Sequence, residues 1–292
     1  MITVGIPFYN AGAYLADAIK SVILQSFENW ELILVDDGST DQSLNIAMSY
    51  AKKDSRIRVI SDGMNKRLPA RLNQIVLEAS YPFIARMDAD DISSTYRLEK
   101  QLEFLVKNPE IDLVSTGILS LKNDLSLVGY RGTKSDKKIS INDAIVGNTG
   151  IIHASILARK SFFMRNLYNE RNKLAEDYEL WLEAFLKNDL KVGFIEEPLY
   201  YYREDQNIVL SKLIKAYSTQ AEIIKSIDLK YISLQNKLKF ILKFEIKKII
   251  VRVLFLLNLD KILHRRRANS EMNAEYAKIL QDQVDLIRSI NP

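Results

Sequence analysis

Cysteine is absent from all 292 residues. Its absence excludes disulfides, thiolate zinc sites and cysteine nucleophiles, and it fits a reducing cytoplasm. No uncharged stretch approaches the roughly 20 apolar residues that cross a bilayer, so no membrane span is expected. The first strand-like run starts at Ile2 with no basic region before it, and no signal peptide is expected either. Glycine and proline are missing from 209–290, which leaves helical spacing uninterrupted there. Charge of one sign is scarce only in a global count. The net charge is +4, yet eleven Lys and Arg between Lys230 and Arg267 face only Glu245 and Asp260. That segment carries +9, so the remainder sums to −5. Nothing in the basic segment resembles a nucleic-acid module, and no nucleic-acid partner is expected.

What is present is ordinary for a folded chain, 47% hydrophobic and 27% charged. The length admits one large α/β domain with an extension, or two modest domains. Residues 2–8 read as a buried strand. Leu15, Ala18, Ile19, Val22 and Ile23 give helical spacing over 11–25, and Trp30 to Val35 is a second strand-like run. Ser39 or Thr40 is placed to cap a helix reaching about Lys53. Strand-like runs at 56–61 and 82–87 bracket a helix over 69–79. This alternation indicates parallel βαβ units and a doubly wound, mostly parallel, Rossmann-like sheet. Less regular strand-like runs follow from Glu110 to Arg131. Further strands are expected at 151–158, 191–195 and 199–203, with a helix over 175–187. Helical spacing then dominates 209–290, so the expected division is a catalytic domain over 1–205 and a helical C-terminal extension over 206–292.

Ligands of such sheets bind at the carboxyl ends of the strands, and three polar clusters sit there: Tyr9-Asn10, Asp36-Asp37 and Asp88 to Asp91. Three carboxylates within Asp88-Ala89-Asp90-Asp91 repel one another unless a cation or hydrogen bonds offset the repulsion. Hard oxygen ligands suit Mg²⁺ or Mn²⁺, whose shell substrate phosphates complete; the alternative is a solvated acidic turn. Asp36-Asp37-Gly38-Ser39 is either a nucleotide-binding turn or a helix cap. Tyr9 either stacks on a base or packs into the core. Glu176 and Asp177 either act as a base or simply start a helix whose dipole favours acids.

At these residues the sequence resembles a known family. Gly5-Ile6-Pro7-Phe8-Tyr9-Asn10, Val35 to Asp41, Arg86 to Asp91 and Ala175 to Trp181 are similar to the successive motifs of family 2 inverting glycosyltransferases of the GT-A fold. The resemblance covers roughly 1–205, and the branch it points to builds bacterial O-antigen, capsule and similar surface glycans. It implies a UDP-sugar donor held by Pro7, Tyr9, Asn10, Asp36, Asp37, Arg71, Asp88 and Ala89. Tyr9 stacks on uracil in this scheme and Asp37 accepts from its N3–H. Asp90 is implied as the ligand of Mn²⁺ or Mg²⁺, and Asp177 as the general base, with Glu176 competing for that role. Arg67, Asp91, His153, Trp181, Arg203 and Asp205 are implied contacts of the donor, diphosphate or acceptor. The chain departs from the family pattern at Arg67, where relatives carry glycine, and at Asp205, where many carry histidine.

In the extension, Leu238, Ile241, Leu242, Ile246, Ile249, Ile250, Val253, Leu254 and Leu257 follow helical spacing. Lys239, Lys243, Lys247, Lys248 and Arg252 fall largely on the other side, and His264 to Arg267 ends the run. A basic amphipathic helix fits the surface of an anionic membrane; a homodimer or a core contact is the alternative. The expected location is therefore cytoplasmic, peripheral at the inner face of the cell membrane, with a lipid-linked saccharide acceptor. Two other functions compete. A nucleotidyltransferase also uses paired aspartates on a doubly wound domain, but it needs a glycine-rich, basic phosphate loop that Phe8-Tyr9-Asn10-Ala11-Gly12 does not supply. A non-catalytic sugar-nucleotide-binding or scaffolding protein would not need Asp88, Asp90 and Asp177 together.

Overall fold

A computed structural model of the chain describes residues 1–172, 174–204, 209–257, 259 and 274–290. Strands β1 (Ile2–Phe8), β2 (Trp30–Asp36), β3 (Ile57–Ser61) and β4 (Phe83–Arg86) pair in parallel, joined by helices α1 (Leu15–Ile23), α2 (Ser43–Ala51) and α3 (Leu68–Glu78). β1 is buried at all seven positions, as expected of a parallel strand covered on both faces. Leu15, Ala18, Ile19 and Val22 turn the buried face of α1 onto the sheet. One mixed sheet results, in the order β3-β2-β1-β4-β8-β6-β9-β5 with β7 on β6. β5 is Ile92–Ser93, β6 Leu113–Leu121, β7 Leu127–Arg131, β8 Leu157–Arg159 and β9 Val192–Arg203. The pairing of β6 with β9 is parallel, whereas β7 and β8 run antiparallel to β6.

Three local expectations change. α2 starts at Ser43 with Gln42 as its N-cap, and Asp41, one residue earlier, accepts from Ser43 N at 2.9 Å. Ser39 and Thr40 instead stay in the loop, where Ser39 N donates to Asp36 and Thr40 N to Asn10. The strand expected over 151–158 is a 3₁₀ turn, His153–Ser155, followed by β8, because Ser155 N bonds back to Ile152 O and its hydroxyl takes Thr116 N. The two strands expected over 191–203 are one, β9. Its register against β6 slips around Gly117, where Pro198 stands opposite and has no N–H to give the ladder.

α4 (Arg97–Lys107) carries a polar anchor into the core. Arg97 is fully buried; its Nη2 donates to Arg86 O at 2.7 Å and Ile156 O at 3.1 Å, and its Nε to Gln101. Burial lowers its pKa to about 10. Arg97→Met would take the side-chain donor from Arg86 O, while Ile156 O keeps the N–H of Arg86, and about 1–3 kcal/mol of stability should be lost. Urea unfolding measures this, and an unchanged midpoint would refute the anchoring role.

After β9 the described elements are helices: α8 (Leu210–Ser226), α9 (Leu234–Leu256) and α10 (Ala274–Ser289). The boundary expected near 205–210 falls largely outside the described residues, as do Asp205 and the run His264 to Arg267. α8 and α9 pack through Ile223, Ile224, Phe240 and Phe244 onto Tyr178 and Leu182 of α7 (Glu176–Leu186). α10 returns to cover Ile92, Leu119, Leu121 and Tyr201 through Leu280, Val284 and Ile287.

α9 has two apolar faces where one was expected. Phe240, Phe244 and Val251 are buried, whereas Leu234, Leu238, Leu242, Ile246, Ile249, Ile250, Val253 and Leu256 are exposed. Its cations divide as well. Lys247 lies over the rings of Tyr217 and Phe244, and Lys248 pairs with Glu245 at 2.7 Å. Lys239, Lys243 and Arg252 remain exposed beside the outer stripe. Among the described residues no helix is long and apolar enough to cross a membrane.

Candidate active site

The carboxyl ends of β1, β2 and β4 bring the first residues together. Pro7 is buried in β1, and Tyr9 follows it 52% exposed, a ring presented to solvent at the strand end. Asn10, with φ +49°, receives Thr40 N on its side-chain oxygen and donates its backbone N–H to Ser39. Asp36 is spent on the turn, taking Ser39 N and the Ser61 hydroxyl. Asp37 is held from behind by Arg71 Nε at 2.9 Å, Lys66 N at 2.7 Å and Arg67 N at 3.1 Å.

This arrangement revises Arg71. It is fully buried, and its guanidinium is shared among Asp37, Asp62, Gln74 and Met64 O, so it fixes Asp37 and has no surface for a nucleotide. Arg67 sits at φ +74° and ψ +163°, backbone that suits glycine and strains a residue with a Cβ. Its exposed side chain follows from that geometry, while its N–H serves Asp37.

The acidic cluster lies between β4 and β5. Oxygens of Asp88, Asp90 and Asp91 fall within 4.8 Å of one another. Arg86, two residues earlier on the same face, grips Asp88 in a fork at 2.8 and 2.5 Å. Tyr200 OH donates to Asp91 at 2.7 Å and receives Asp88 N at 3.0 Å, and Arg203 N donates to Asp91 at 2.8 Å. Among the described residues no side chain donates to the Asp90 carboxylate. Burial, then repulsion by Asp88, raises the pKa of Asp90; the same causes, with Asp90 added, raise Asp91 well above the usual range. Unneutralised hard oxygens at this spacing fit a divalent cation, and Asp90 is the carboxylate left free to bind it. Ala89 is buried between them.

Two further expectations are revised here. Arg203 spends its guanidinium on Asp90 O at 2.6 Å, Asn123 O and Asp17. It braces the backbone of the cluster and is not turned to a diphosphate. Trp181 is buried against His153 and Phe162 and belongs to the core.

Beside the cluster opens a cavity of about 370 Å³, lined by Arg86, Asp88, Arg131, Ile151, Ile152, His153, Ala154, Asp177, Tyr202 and Glu204. Asp177, in the first turn of α7, therefore shares one space with Asp88; Glu176 is not among the lining residues. Tyr178 N donates to Asp177 Oδ1 at 2.7 Å. Burial raises the pKa of Asp177, with the nearby Arg86 opposing, and raises that of Glu176 with Asp177 adding to it. His153 meets Tyr168 OH at 2.7 Å, and burial pushes its pKa well below the ordinary value, so the ring is neutral near pH 7.

Sequence reasoning missed Arg86, Tyr200, Arg131, Tyr202 and Glu204. Arg86 was detectable, because residues two apart on a strand share a face. The others become neighbours only through the register of β6, β7 and β9.

The sequence profile described as glycosyl transferase family 2 matches residues 3–163. EpsE of Bacillus subtilis, named as a glycosyltransferase, is 37% identical over 211 residues, which cover 70% of this chain and 74% of EpsE. WfgD of Escherichia coli, a UDP-Glc:alpha-D-GlcNAc-diphosphoundecaprenol beta-1,3-glucosyltransferase by name, is 29% identical over 227 residues, 77% of this chain and 85% of WfgD. Among solved structures, S. aureus TarS in complex with UDP is similar at a TM-score of 0.60 and 20% identity, covering 83% of this chain and 70% of that one. The last likeness shows the fold, a GT-A α/β sheet with helices following it.

Proposed function

The chain belongs to glycosyl transferase family 2, and from that premise we propose that it transfers a sugar from a UDP-sugar to a hydroxyl of a lipid-linked saccharide, with inversion, in bacterial surface polysaccharide synthesis. One observation carries the reading: Asp177, a buried carboxylate of raised pKa, lines the same cavity as Asp88, beside the Asp90–Asp91 cluster. Tyr9 and Asp37 receive the uracil, and Lys66 N, Arg67 N and Arg71 hold Asp37 in place. Asp90 holds Mn²⁺ or Mg²⁺, with Asp88 and Asp91 fixed alongside by Arg86 and Tyr200. The cation supplies neutralisation of the charge that develops on the departing diphosphate. Asp177 takes the proton of the acceptor hydroxyl as its oxygen attacks the anomeric carbon from the face opposite the diphosphate. Family membership sets aside the nucleotidyltransferase reading. A non-catalytic role is tested by screening UDP-sugars with Mn²⁺: release of UDP supports transfer, and its absence with every donor and acceptor would overturn the proposal.

The donor and acceptor classes rest on the names of relatives: TarS was solved with UDP, and WfgD is named for UDP-Glc and a diphosphoundecaprenol acceptor. We assign catalysis to 1–205 and membrane contact to 206–292, on the cytoplasmic face. The support is the outer stripe of α9, from Leu234 to Leu256, flanked by Lys239, Lys243 and Arg252. Apolar insertion and attraction to anionic lipid act together on such a face. Replacing Leu242, Ile246 and Ile250 by Ser should abolish sedimentation with phosphatidylglycerol vesicles and leave the melting temperature nearly unchanged. A stripe that instead joins two copies of the chain would lower the mass in solution and leave vesicle binding as it was.

A further inference from the structure

We propose that the ion pair Arg131–Glu204 reads the acceptor sugar and selects an uncharged pyranose with adjacent free hydroxyls. The inference rests on the reading above and concerns the same cavity.

Arg131 is the last residue of β7, opposite Ile118 of β6, and Glu204 directly follows β9, its N–H given to Leu121 O. The sheet thus sets two residues 73 positions apart at one rim of the space that holds Asp177. Arg131 Nη2 donates to Glu204 Oε1, and its guanidinium stands 5.6 Å from the centre of the Tyr202 ring. Its buried Nε–H has no partner among the described residues.

Stability does not account for this pair. The side chains are 31% and 13% exposed, and partly exposed ion pairs add little to folding. The fixed geometry has a chemical use. A guanidinium offers donors in one plane and a carboxylate offers acceptors beside them. Adjacent hydroxyls of a pyranose, each both donor and acceptor, match that edge. Position identifies the ligand as the acceptor: the base must touch the attacking hydroxyl, whereas of the nucleotide residues only Asp88, at the edge shared with the acidic cluster, lines this cavity, and Tyr9 and Asp37 do not.

Charge narrows the class. Among the lining residues Arg86 and Arg131 oppose Asp88, Asp177 and Glu204, and His153 is neutral, so the lining carries one net negative charge. Each arginine is matched by its own carboxylate, which leaves the charge of Asp177 uncompensated. An acceptor with a carboxylate of its own would meet like charge in a partly dry space. A neutral hexose or N-acetylhexosamine would not.

The test compares p-nitrophenyl glycosides of glucose, N-acetylglucosamine and glucuronic acid as acceptors, with UDP release and product formation as readouts. The wild type should use a neutral glycoside and discriminate against the glucuronide. Glu204→Gln frees Arg131 and removes one negative charge, so the ratio of kcat/KM for the neutral glycoside over the glucuronide should fall by about tenfold or more, the scale of one charged hydrogen bond. Arg131→Ala should raise the acceptor KM by a similar factor, with the donor KM moving much less, and Arg131→Lys should recover only part of it. Melting temperatures of all variants separate misfolding from lost recognition. Unchanged discrimination in a folded Glu204→Gln variant would overturn the proposal. So would a wild type that releases UDP but accepts only the glucuronide or no neutral glycoside. A failure of the underlying reading looks different: no donor gives UDP under any condition.

Discussion

Asp90→Ala is expected to remove divalent-cation-dependent transfer almost completely while the protein stays folded. The carboxylates of Asp88 and Asp91 are already committed, the first to the Arg86 fork and the second to Tyr200 OH and Arg203 N. Within the cluster, Asp90 alone keeps its oxygens free of side-chain donors among the described residues. Losing the ligand removes charge neutralisation worth several kcal/mol, or roughly 10³-fold or more in turnover. A second readout does not depend on activity. Asp90 and Asp91 have raised pKa values from burial and from repulsion by Asp88, with Asp90 adding to the shift of Asp91. Their ionised forms therefore oppose folding: the favourable protonated state is present below the unfolded pKa and is lost as pH rises through the folded one. At pH 7 a bound cation should raise the melting temperature of the wild type. In Asp90→Ala the cation shift should vanish, and the metal-free melting temperature should not fall. Near-normal turnover of the variant in excess chelator would remove Asp90 from the metal site.

The parallel half of the fold was legible because its strands are continuous apolar runs and its helices carry 3.6-residue spacing. The polar clusters at Tyr9, Asp36 and Asp88 then mark strand ends on one edge. What the sequence could not supply was direction. Arg71 and Arg203 stand near acidic motifs and suggest phosphate contacts, yet both turn inward, one to fix Asp37 and the other to brace the Asp90 carbonyl. Trp181 lies in a catalytic motif but packs on Phe162. In α9 the period of 3.6 fits the buried face of Phe240 and Phe244 as well as the exposed face of Leu238 and Leu242. Spacing cannot tell which face finds a partner; packing of α8 decides it. Arg131 and Glu204 had no local signature, since their meeting depends on the slipped register of β9 on β6.

Asp177→Asn is expected to lower turnover by roughly 10² to 10⁴ while UDP binding persists. The change keeps the shape of the side chain, and its remaining oxygen can still accept the Tyr178 N–H that holds Asp177 Oδ1 in the wild type. Only proton affinity is lost. That affinity is raised in the native protein chiefly by burial, against the pull of Tyr178 N–H and Arg86. A base works in its ionised form, so kcat of the wild type should fall as pH drops through the raised pKa of Asp177. The acid limb should therefore lie above the ordinary aspartate range, and the residual activity of Asp177→Asn should lack it. Glu176 is the competing base, also with a raised pKa from burial and from Asp177, but it does not line the cavity where the acceptor must lie. Glu176→Gln should consequently retain most of the turnover and keep the acid limb, which burial of Asp177 sets. Full activity in Asp177→Asn together with collapse in Glu176→Gln would transfer the base to Glu176 and require α7 to present its first residue to the acceptor.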